Sequence, residues 1–567
     1  MPKIRLPLVG ANSQRNPDAY NNTSKDCRYV NCIIKTAPNP LTRKTELFLE
    51  KRIGLEAVST PDGTNYGNAT ITVDTTRYST FQTSSSARAF SGPTLLGTSD
   101  TISATPPENI GLAQIAELSL GGVRYIFFSH PRQGVTPVAQ GVYYYDTSVG
   151  LSVDTFTGTL SVSDAVITNA MNITDVRVGQ KLTHANIPSG TRVQSIAGNT
   201  ITMNAAATGN GAGVTITREH LSKIMSANFP TKPTGHIFGM NGRVFALDWS
   251  NGRIYQSAFN DPQTWTAGDY ISLDYLPDEA AAIRQNGMTC YGFGQNSIEI
   301  FQYAGNASGS QLTRVGVTDN GAPLTSICAA ATINGVMYFI GFQGGVYRLS
   351  GASPQKISTP IIDSIMASSA SQAASQTPYV DAFYYEGRPF LSVVGAVTLT
   401  TTAAVSYTFW YDIELNVWTQ QQFTVSSSDR AARFSSVGAL RQTDAILFAP
   451  LGKTYKLDYV SPVYQDDSST LTMTVQLGNS DLGDPRRKFF HKAWLIGDTQ
   501  SSGTVTLEYS DDDYANWVTA GTFSLANLER PIVGLGSSHK RAWRLTDANN
   551  QAGRYQAIDL EFDVGTS

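Results

Sequence analysis

The chain has 567 residues, of which 15% are charged, and it contains 49 Gly, 26 Tyr and 24 Phe. This length exceeds one ordinary hydrophobic core, so we expect two or three domains. The net charge of −4, with both signs interspersed, argues against a protein that wraps nucleic acid by neutralising phosphates. The opening MPKIRLPLVG lacks the apolar run of a signal peptide, and no stretch of about 18 apolar residues follows. We therefore expect a nearly all-β protein, made in the cytosol, without a membrane segment.

The first 108 residues contain one strong strand signal. Residues 46–58 (ELFLEKRIGLEAV) have the apolar alternation of a strand. Residues 59–108 are rich in Thr and Ser and weakly patterned, which is typical either of an excursion that meets a partner or of a solvated loop. Cys27 and Cys32 lie close together, but no second Cys or His pair has matching spacing, so we expect no metal site and reduced thiols.

Six pairs of short apolar strands recur at intervals of roughly 40 residues, each centred on a turn and most ending in an aromatic residue. The pairs comprise residues 123–129 with 141–146, 237–247 with 253–258, 287–293 with 297–303, 336–342 with 345–349, 382–394 with 407–412, and 445–449 with 454–459. Small sheets that bury their faces only against neighbours indicate propeller blades. The sequence predicts a six-bladed β-propeller, with residues 46–58 closing the ring. A β-sandwich is the alternative.

Three further segments interrupt or follow the hairpins. Residues 151–217 have their own Val/Ile/Thr alternation and indicate a small inserted β module. Residues 360–372 predict a helix, because Pro360 suits its first turn and four apolar side chains fall on one face. Six strands after residue 463 predict a C-terminal β-sandwich. The expected division is an N-terminal segment with the ring-closing strand and first blade (1–150), the inserted domain (151–217), the remaining blades (218–462) and the sandwich domain (463–567).

Signatures of catalysis are scarce, and we expect no enzyme activity, catalytic residue or cofactor. The six histidines form no HExxH, and the Gly452-Lys453-Thr454 turn lacks the first glycine of a phosphate-binding loop. A glycosidase would need a pair of carboxylates in a cleft, for which the candidates are Asp248, Glu299, Asp381, Glu386 and Asp412.

Residues 510–517 (SDDDYANW) resemble the Asp-box of sialidase-type propellers, except that Tyr514 replaces the glycine. That box is a hairpin-turn device. Its three adjacent acids are either solvated or bind calcium.

The candidate functional site predicted from the sequence is a cluster of basic residues between positions 486 and 492. A second follows at residues 539–541. Arginine flanked by aromatics favours interfaces, so the first cluster is either a solvated hairpin or a patch that faces another subunit or the DNA channel. It comprises Arg486, Arg487, Lys488, His491 and Lys492, next to Phe489 and Phe490.

Several segments resemble the tail nozzle proteins of short-tailed bacteriophages, also called packaged-DNA stabilisation proteins. They are residues 5–10 (RLPLVG), 28–32 (RYVNC), 48–55, 292–303 (GFGQNSIEIFQY) and 412–419 with Trp418. Residues 178–204 also look like a motif that recurs in phage structural proteins, with a turn at residues 187–191.

The resemblance implies a structural virion protein of the phage tail, made in the host cytoplasm, which closes the channel to retain packaged DNA and opens as a conduit for ejection. It implies a homo-hexameric ring, contacts with the head-to-tail adaptor and with tail fibres, spikes or a needle, and transient non-specific contact with DNA. The alternative is a receptor-binding or glycan-degrading propeller of the tail.

Overall fold

The structure, a computed structural model, is dominated by β-strands, as the composition predicts. One helix, α1 (Pro360–Ala370), occurs in the described part of the chain. The described residues are 3–9, 28–38, 45–58, 67–74, 76–82, 87–99, 114–129, 142–152, 154–231, 233–248, 250–276, 280–294, 297–318, 329–341, 344–370, 378–400, 403–425, 428–430, 433–434, 444–449 and 453–566.

The described strands form seven successive four-stranded antiparallel blades: five separate sheets and two portions of larger sheets. The strands of each blade are given from the innermost outward: blade 1 contains Gly67–Val73, Thr76–Gln82, Ala87–Ser91 and Thr94–Thr98, and blade 2 contains Gln114–Leu120, Val123–Ser129, Val142–Asp146 and the end of Gly211–Lys223. Blade 3 contains Pro233–Met240, Arg243–Asp248, Arg253–Ala258 and Asp261–Ser272; blade 4 contains Ala280–Asn286, Thr289–Gly294, Ile298–Tyr303 and Leu312–Thr318; and blade 5 contains Ala330–Ile333, Val336–Ile340, Val346–Ser350 and Ser353–Lys356. Blade 6 contains Tyr379–Tyr385, Arg388–Thr400, Ala403–Asp412 and Val417–Gln421, and blade 7 contains Arg433–Phe434, Asp444–Ala449, Lys453–Asp458 and Glu56–Val58.

The blades close into a ring, so the fold is a β-propeller. Each innermost strand contacts the innermost strand of the next blade, and blade 7 contacts blade 1. Blade 7 takes its outermost strand, Glu56–Val58, from the start of the chain, with Ala57 opposite Tyr455. This strand covers an edge that would otherwise be open.

The propeller is confirmed, but the predicted count of six blades is not, because residues 67–98 form an additional blade. Its described buried apolar side chains include Ile71, Tyr78 and Leu96. They share a core with large aromatic residues of blade 2, including Phe128 and Tyr145. Ser79, Thr80 and Ser91 are also buried, and these polar residues at buried positions explain why the segment has a weak apolar pattern.

Tight turns set the register between the first two strands of the blades. In four of them both central residues have positive φ, as a type I′ turn requires. These turns are Gly121 and Gly122, Asn241 and Gly242, Asn334 and Gly335, and Glu386 and Gly387.

Aspartates end several blade strands by accepting hydrogen bonds from the following backbone. Asp146 accepts from the Ser148 N–H at 2.9 Å, and Asp412 accepts from the Glu414 N–H at 3.0 Å. Asp248 and Asp458 act in the same way on residues two positions later. Each side chain replaces the hydrogen bonds that the backbone loses where the strand ends.

Helix α1 follows blade 5 and packs against the strand Arg388–Thr400 of blade 6. Pro360 opens it, as expected for a residue without an N–H group. Ile361, Ile362, Ile365 and Met366 are buried in the core shared by blades 4 to 6. The predicted amphipathic helix is therefore confirmed.

Between the third and fourth strands of blade 2, the chain forms a small β module. Its strands are Thr155–Leu160, Val166–Met171, Gln180–Thr183, Val193–Ala197, Thr200–Met203 and the first part of Gly211–Lys223. The module has its own apolar core, which includes Phe156, Ile167 and Ile201.

Gln263 of blade 3 ties the module to the propeller. Its side-chain amide donates to the Tyr144 hydroxyl at 2.9 Å, the Val178 carbonyl at 3.1 Å and the Lys223 carbonyl at 2.8 Å. Its Oε1 accepts from the Met225 N–H at 2.9 Å. One side chain thus joins two blades and the module.

We expect Gln263→Ala to loosen this junction without unfolding the module, whose core lies elsewhere. Hydrogen exchange of residues 142–231 should become at least several-fold faster near Val178 and Lys223, because unsatisfied buried groups favour local opening. Gln194 is exposed and lines one cavity together with Gln263, so Gln194→Ala is the control. Equal exchange in both variants would contradict the assignment.

The remaining strands form a two-sheet β-sandwich that combines both ends of the chain. One sheet contains Lys3–Pro7, Cys32–Pro38, Thr45–Lys51, Lys488–Gly497, Ile532–Val533, Ser537–Ser538 and Arg554–Val564. The facing sheet contains Arg28–Val30, Met473–Gln476, Thr504–Ser510, Val518–Ser524 and Ala542–Asp547. Two short hairpins among the described residues lie outside the blades and the sandwich, Phe423–Val425 with Ser428–Arg430 and Gln465–Asp466 with Ser469–Thr470.

Propeller and sandwich share one continuous sheet. Val30 pairs with Gln420 of the outermost strand of blade 6, which joins that blade to the facing sheet of the sandwich. Of the segment expected to close the ring, only Glu56–Val58 lies in blade 7, whereas Thr45–Lys51 lies in the sandwich. The short stretch between these two strands therefore crosses the boundary between the two bodies.

Lys51 and Arg52 fix that crossing. Lys51 is 1% exposed and lies 3.5 Å from Asp547 of the sandwich. Arg52 is fully buried and forms a bidentate pair with Asp466, at 2.9 and 2.6 Å. Arg52 also donates to the Gln422 carbonyl, just after blade 6. The adjacent cations Lys51 and Arg52 thus attach the segment that contains them both to the sandwich and to the chain just after blade 6.

Candidate interaction surface of the sandwich

The outer face of the first sandwich sheet carries an ordered ladder of charges. The central row lies on the C-terminal strand Arg554–Val564, between the N-terminal strand Lys3–Pro7 and the strand Lys488–Gly497. Glu561 lies opposite Lys3 on one side and Lys492 on the other. Asp559 lies in the same way between Arg5 and Trp494. An acidic row is therefore flanked by basic side chains on both strands.

The ladder pairs its charges across the strands. Arg5 donates to both carboxylate oxygens of Asp559, at 2.8 and 3.1 Å, and this hydrogen bond raises the pKa of Arg5. Lys492 lies 3.8 Å from Glu561. The Lys3 ammonium lies 4.4 Å from the centre of the Trp494 ring, within the range of a cation–π interaction. The face is thus amphipathic and close to neutral.

A groove of about 640 Å³ runs along this face. Its volume lies within the range of ligand-binding clefts. Lys3, Trp494 and Asp559 form one wall, and residues of the 526–529 loop, including Glu529, form the other. The groove offers an aromatic ring together with charges of both signs.

The structure places the predicted basic cluster at the start of the strand Lys488–Gly497. Arg486 is paired with Asp484 at 2.7 Å, and Arg487 donates to the Ser537 hydroxyl. His491 lies 3.1 Å from Asp563. Lys492 belongs to the ladder. The cluster is therefore spread around one strand, with Arg486 paired to Asp484 and Lys492 close to Glu561 of the C-terminal strand.

Lys488, the fifth member, points into the sandwich. It is 1% exposed, and its ammonium donates to the carbonyls of Asp484, Arg486 and His539. Of the second cluster, Arg541 is also internal, since it pairs with Asp511 at 2.7 Å and stacks over the Tyr509 ring.

We expect Lys488→Ala to lower the free energy of unfolding by roughly 1–3 kcal/mol, because buried carbonyls lose their donor. The exposed Arg486 provides the matched control, and Arg486→Ala should change it by about 0.5 kcal/mol or less. Urea titrations followed by tryptophan fluorescence measure both. A stable Lys488→Ala variant would instead favour a surface role for this lysine.

The segment that resembles an Asp-box is a turn in the sandwich, between the strands Thr504–Ser510 and Val518–Ser524. Asp512 accepts hydrogen bonds from the Asn516 N–H at 2.9 Å and from the Asn516 amide at 2.6 Å. The Ser510 hydroxyl donates to Asp512 at 2.8 Å. These hydrogen bonds, those from Asn516 above all, lower the pKa of Asp512 to about 2.

Because the folded pKa of Asp512 is below its unfolded value, its contribution to stability is present above about pH 4 and is lost as the pH falls towards 2. We expect Asp512→Asn to lower the melting temperature at pH 6, and the difference from the unchanged protein to shrink between pH 4 and pH 2. Calorimetry of the two proteins across this range is the measurement. A difference that is independent of pH would contradict the assignment.

The five carboxylates considered for catalysis are distributed over blades 3, 4 and 6. Glu299 pairs with Arg314 at 2.5 Å, and Asp412 pairs with Arg388 at 2.9 Å. Burial raises the pKa of Glu299 and of Asp412. Asp248 holds a turn, Glu386 pairs with Lys35, and Asp381 lies on the innermost strand of blade 6.

Other features of the described residues concern metals, thiols and membranes. The described residues contain no group of three or more potential metal-ligating side chains. Cys32 and Cys290 are free and buried, and burial raises the pKa of both thiols. Cys27 and Cys328 lie outside the described residues. The described part of the chain has no helix with the length and apolar character that crossing a bilayer requires.

A family model identifies the class of protein, which is an all-β structural protein of a bacteriophage tail. The chain belongs to the phage stabilisation family, described as "Bacteriophage P22 Gp10, beta-propeller", whose model matches residues 133–433. The match spans 301 of 567 residues (433 − 133 + 1) and thus includes the two outer strands of blade 2, the inserted module and blades 3 to 6.

Other comparisons give distant similarities. No curated protein matches the chain significantly. Among solved structures, the computationally designed Ika8 protein has 8% identity and a TM-score of 0.32, covering 71% of this chain and 99% of its own. PorZ, a surface component of the type-IX secretion system of Porphyromonas gingivalis, has 7% identity and a TM-score of 0.33, covering 83% and 46%. The exo-β-1,3-galactanase of Phanerochaete chrysosporium has 9% identity and a TM-score of 0.22, covering 90% and 100%.

Proposed function

We propose that this protein forms the tail nozzle of a short-tailed phage. In this proposal a homo-hexameric ring lies below the head-to-tail adaptor, retains the packaged DNA and opens as the conduit for its ejection. The observation that carries the proposal is the match of the phage stabilisation family over residues 133–433. The protein acts without an enzyme activity of its own.

Rigidity of the fold supports this role. A channel that holds confined DNA must resist outward pressure, and the ring of blades is closed by Glu56–Val58 from the start of the chain. The sheet that runs from blade 6 into the sandwich couples the two bodies through main-chain hydrogen bonds. A near-neutral chain, with net charge −4, suits a conduit along which DNA slides without binding tightly.

Electron cryomicroscopy of the purified protein and of phage particles tests the proposal. We expect a hollow six-membered ring in solution or at the tail tip, and a phage with a nonsense mutation in this gene should package DNA but lose it. Antibody labelling at the fibres instead of the tail axis would contradict the proposal, and so would release of sugars from bacterial surface glycans by the isolated protein.

A further inference from the structure

The N-terminal strand, Lys3–Pro7, is held differently from other strands of the sandwich. In the described part of the chain it pairs with the C-terminal strand alone, from Lys3 opposite Glu561 to Pro7 opposite Ala557. Three of its five residues are exposed, and two are half-buried. It is therefore an edge strand that lies on its sheet as a bound peptide would.

Its contacts make a complete recognition site for a strand. Ile4 and Leu6 pack against the sandwich core, and Leu8, just beyond the strand, is fully buried. On the opposite face Arg5 forms its bidentate pair with Asp559. Alternating apolar contacts and main-chain pairing at a sheet edge are the features of strand addition between separate chains.

The connection behind this strand is long. Residues 10–27, a stretch of 18 residues, separate it from the strand Arg28–Val30. A chain of this length spans up to about 60 Å when extended. Arg28–Val30 lies in the facing sheet of the same sandwich, and packed sheets are only about 10 Å apart. A connection of this length could therefore also reach the sheet edge of a neighbouring copy.

We propose that the N-terminal strand is exchanged between neighbouring copies, each copy adding its Lys3–Pro7 to the C-terminal strand of the next. This inference rests on the ring of the proposed function. Exchange preserves every contact of the strand, because the copies are identical. The ring holds each N-terminal strand near the C-terminal strand of the next copy, at high effective concentration. Each subunit boundary then gains a strand pairing and the Arg5–Asp559 ion pair.

Engineered cysteines can distinguish pairing within a chain from pairing between chains. The Leu8 N–H donates to the Gln556 carbonyl, so Leu8 and Gln556 form a hydrogen-bonded pair. Because hydrogen-bonded and non-hydrogen-bonded pairs alternate along antiparallel strands, Arg5 and Asp559, three positions away, form a non-hydrogen-bonded pair. Such pairs have Cα atoms about 4.5 Å apart, a distance that a disulfide can bridge. The test is the full-length variant Arg5→Cys/Asp559→Cys, with the two single variants as controls for the native cysteines.

After oxidation, most chains of the double variant should run as covalent dimers and larger species in a denaturing gel without reductant. A disulfide confined to single chains would overturn the exchange, and so would two thiols that never react. Light scattering of the native sample separates the two proposals. A ring-sized particle with disulfides only within chains rejects the exchange but retains the ring, whereas particles with the mass of one chain contradict the ring.

Discussion

Arg52→Ala should lower the free energy of unfolding by about 3–5 kcal/mol, because it leaves the buried carboxylate of Asp466 without its cation. Both side chains of this pair are fully buried. Arg52 also donates to the side chain of Asn31 and lies 4.4 Å from the centre of the Phe423 ring. The loss should therefore affect propeller and sandwich together, as a drop in the urea midpoint measured by fluorescence and circular dichroism.

Two further variants isolate the cause of this loss. Arg52→Lys keeps the charge but not the bidentate geometry, and we expect an intermediate stability. Arg554→Ala removes a half-exposed arginine that pairs with Glu50 at 3.0 Å, and surface pairs contribute about 1 kcal/mol or less. If the Arg52→Ala and Arg554→Ala proteins were equally stable, the junction would not depend on the buried pair.

Trp410→Ala should be comparably damaging, with a loss of about 3–5 kcal/mol from a large buried cavity. Trp410 of blade 6 is 0% exposed, and its ring centre lies 5.0 Å from that of Phe383 and 5.6 Å from that of Tyr385. The same core contains Ile53 and Tyr455. It therefore joins blade 6, blade 7 and the segment that crosses from the sandwich.

Near-ultraviolet circular dichroism and urea titration measure this effect. The matched control is Trp517→Ala in the sandwich, where the half-buried indole contacts Arg544 at 4.2 Å. That contact contributes about 1 kcal/mol or less. Similar losses for the two tryptophans would show that the cluster around Trp410 does not hold the blades together.

Local signals in the sequence were sufficient to predict blades 2 to 7. Each of these blades has two apolar strands within about 20 residues of each other. The turns between blade strands contain residue pairs that readily adopt positive φ, such as Asn241 and Gly242 or Asn334 and Gly335. Blade 1 was missed because its strands bury polar residues beside apolar ones, as in Thr76–Gln82, where Ser79 and Thr80 are buried next to Tyr78. Apolar periodicity does not detect a strand whose buried positions include serine and threonine.

Long-range pairing explains most of what the sequence did not reveal. Arg52 and Asp466 are 414 positions apart, and Arg5 and Asp559 are 554 apart. One signal did exist for the charge ladder, since basic residues alternate at Lys3 and Arg5 and acids alternate from Asp559 to Asp563. The basic cluster was predicted as one patch because sequence proximity does not show that Lys488 points inward.

The sharing of strands between the two ends of the chain also determines when the protein can finish folding during synthesis. Translation at about 5–20 residues per second takes roughly half a minute to two minutes for a chain of this length. Lys3–Pro7 must wait for Arg554–Val564 and Glu56–Val58 for Lys453–Asp458, and both partners are synthesised several hundred residues later. The middle blades can form earlier, so a truncated product would contain a partial propeller with an open edge and would be prone to aggregation.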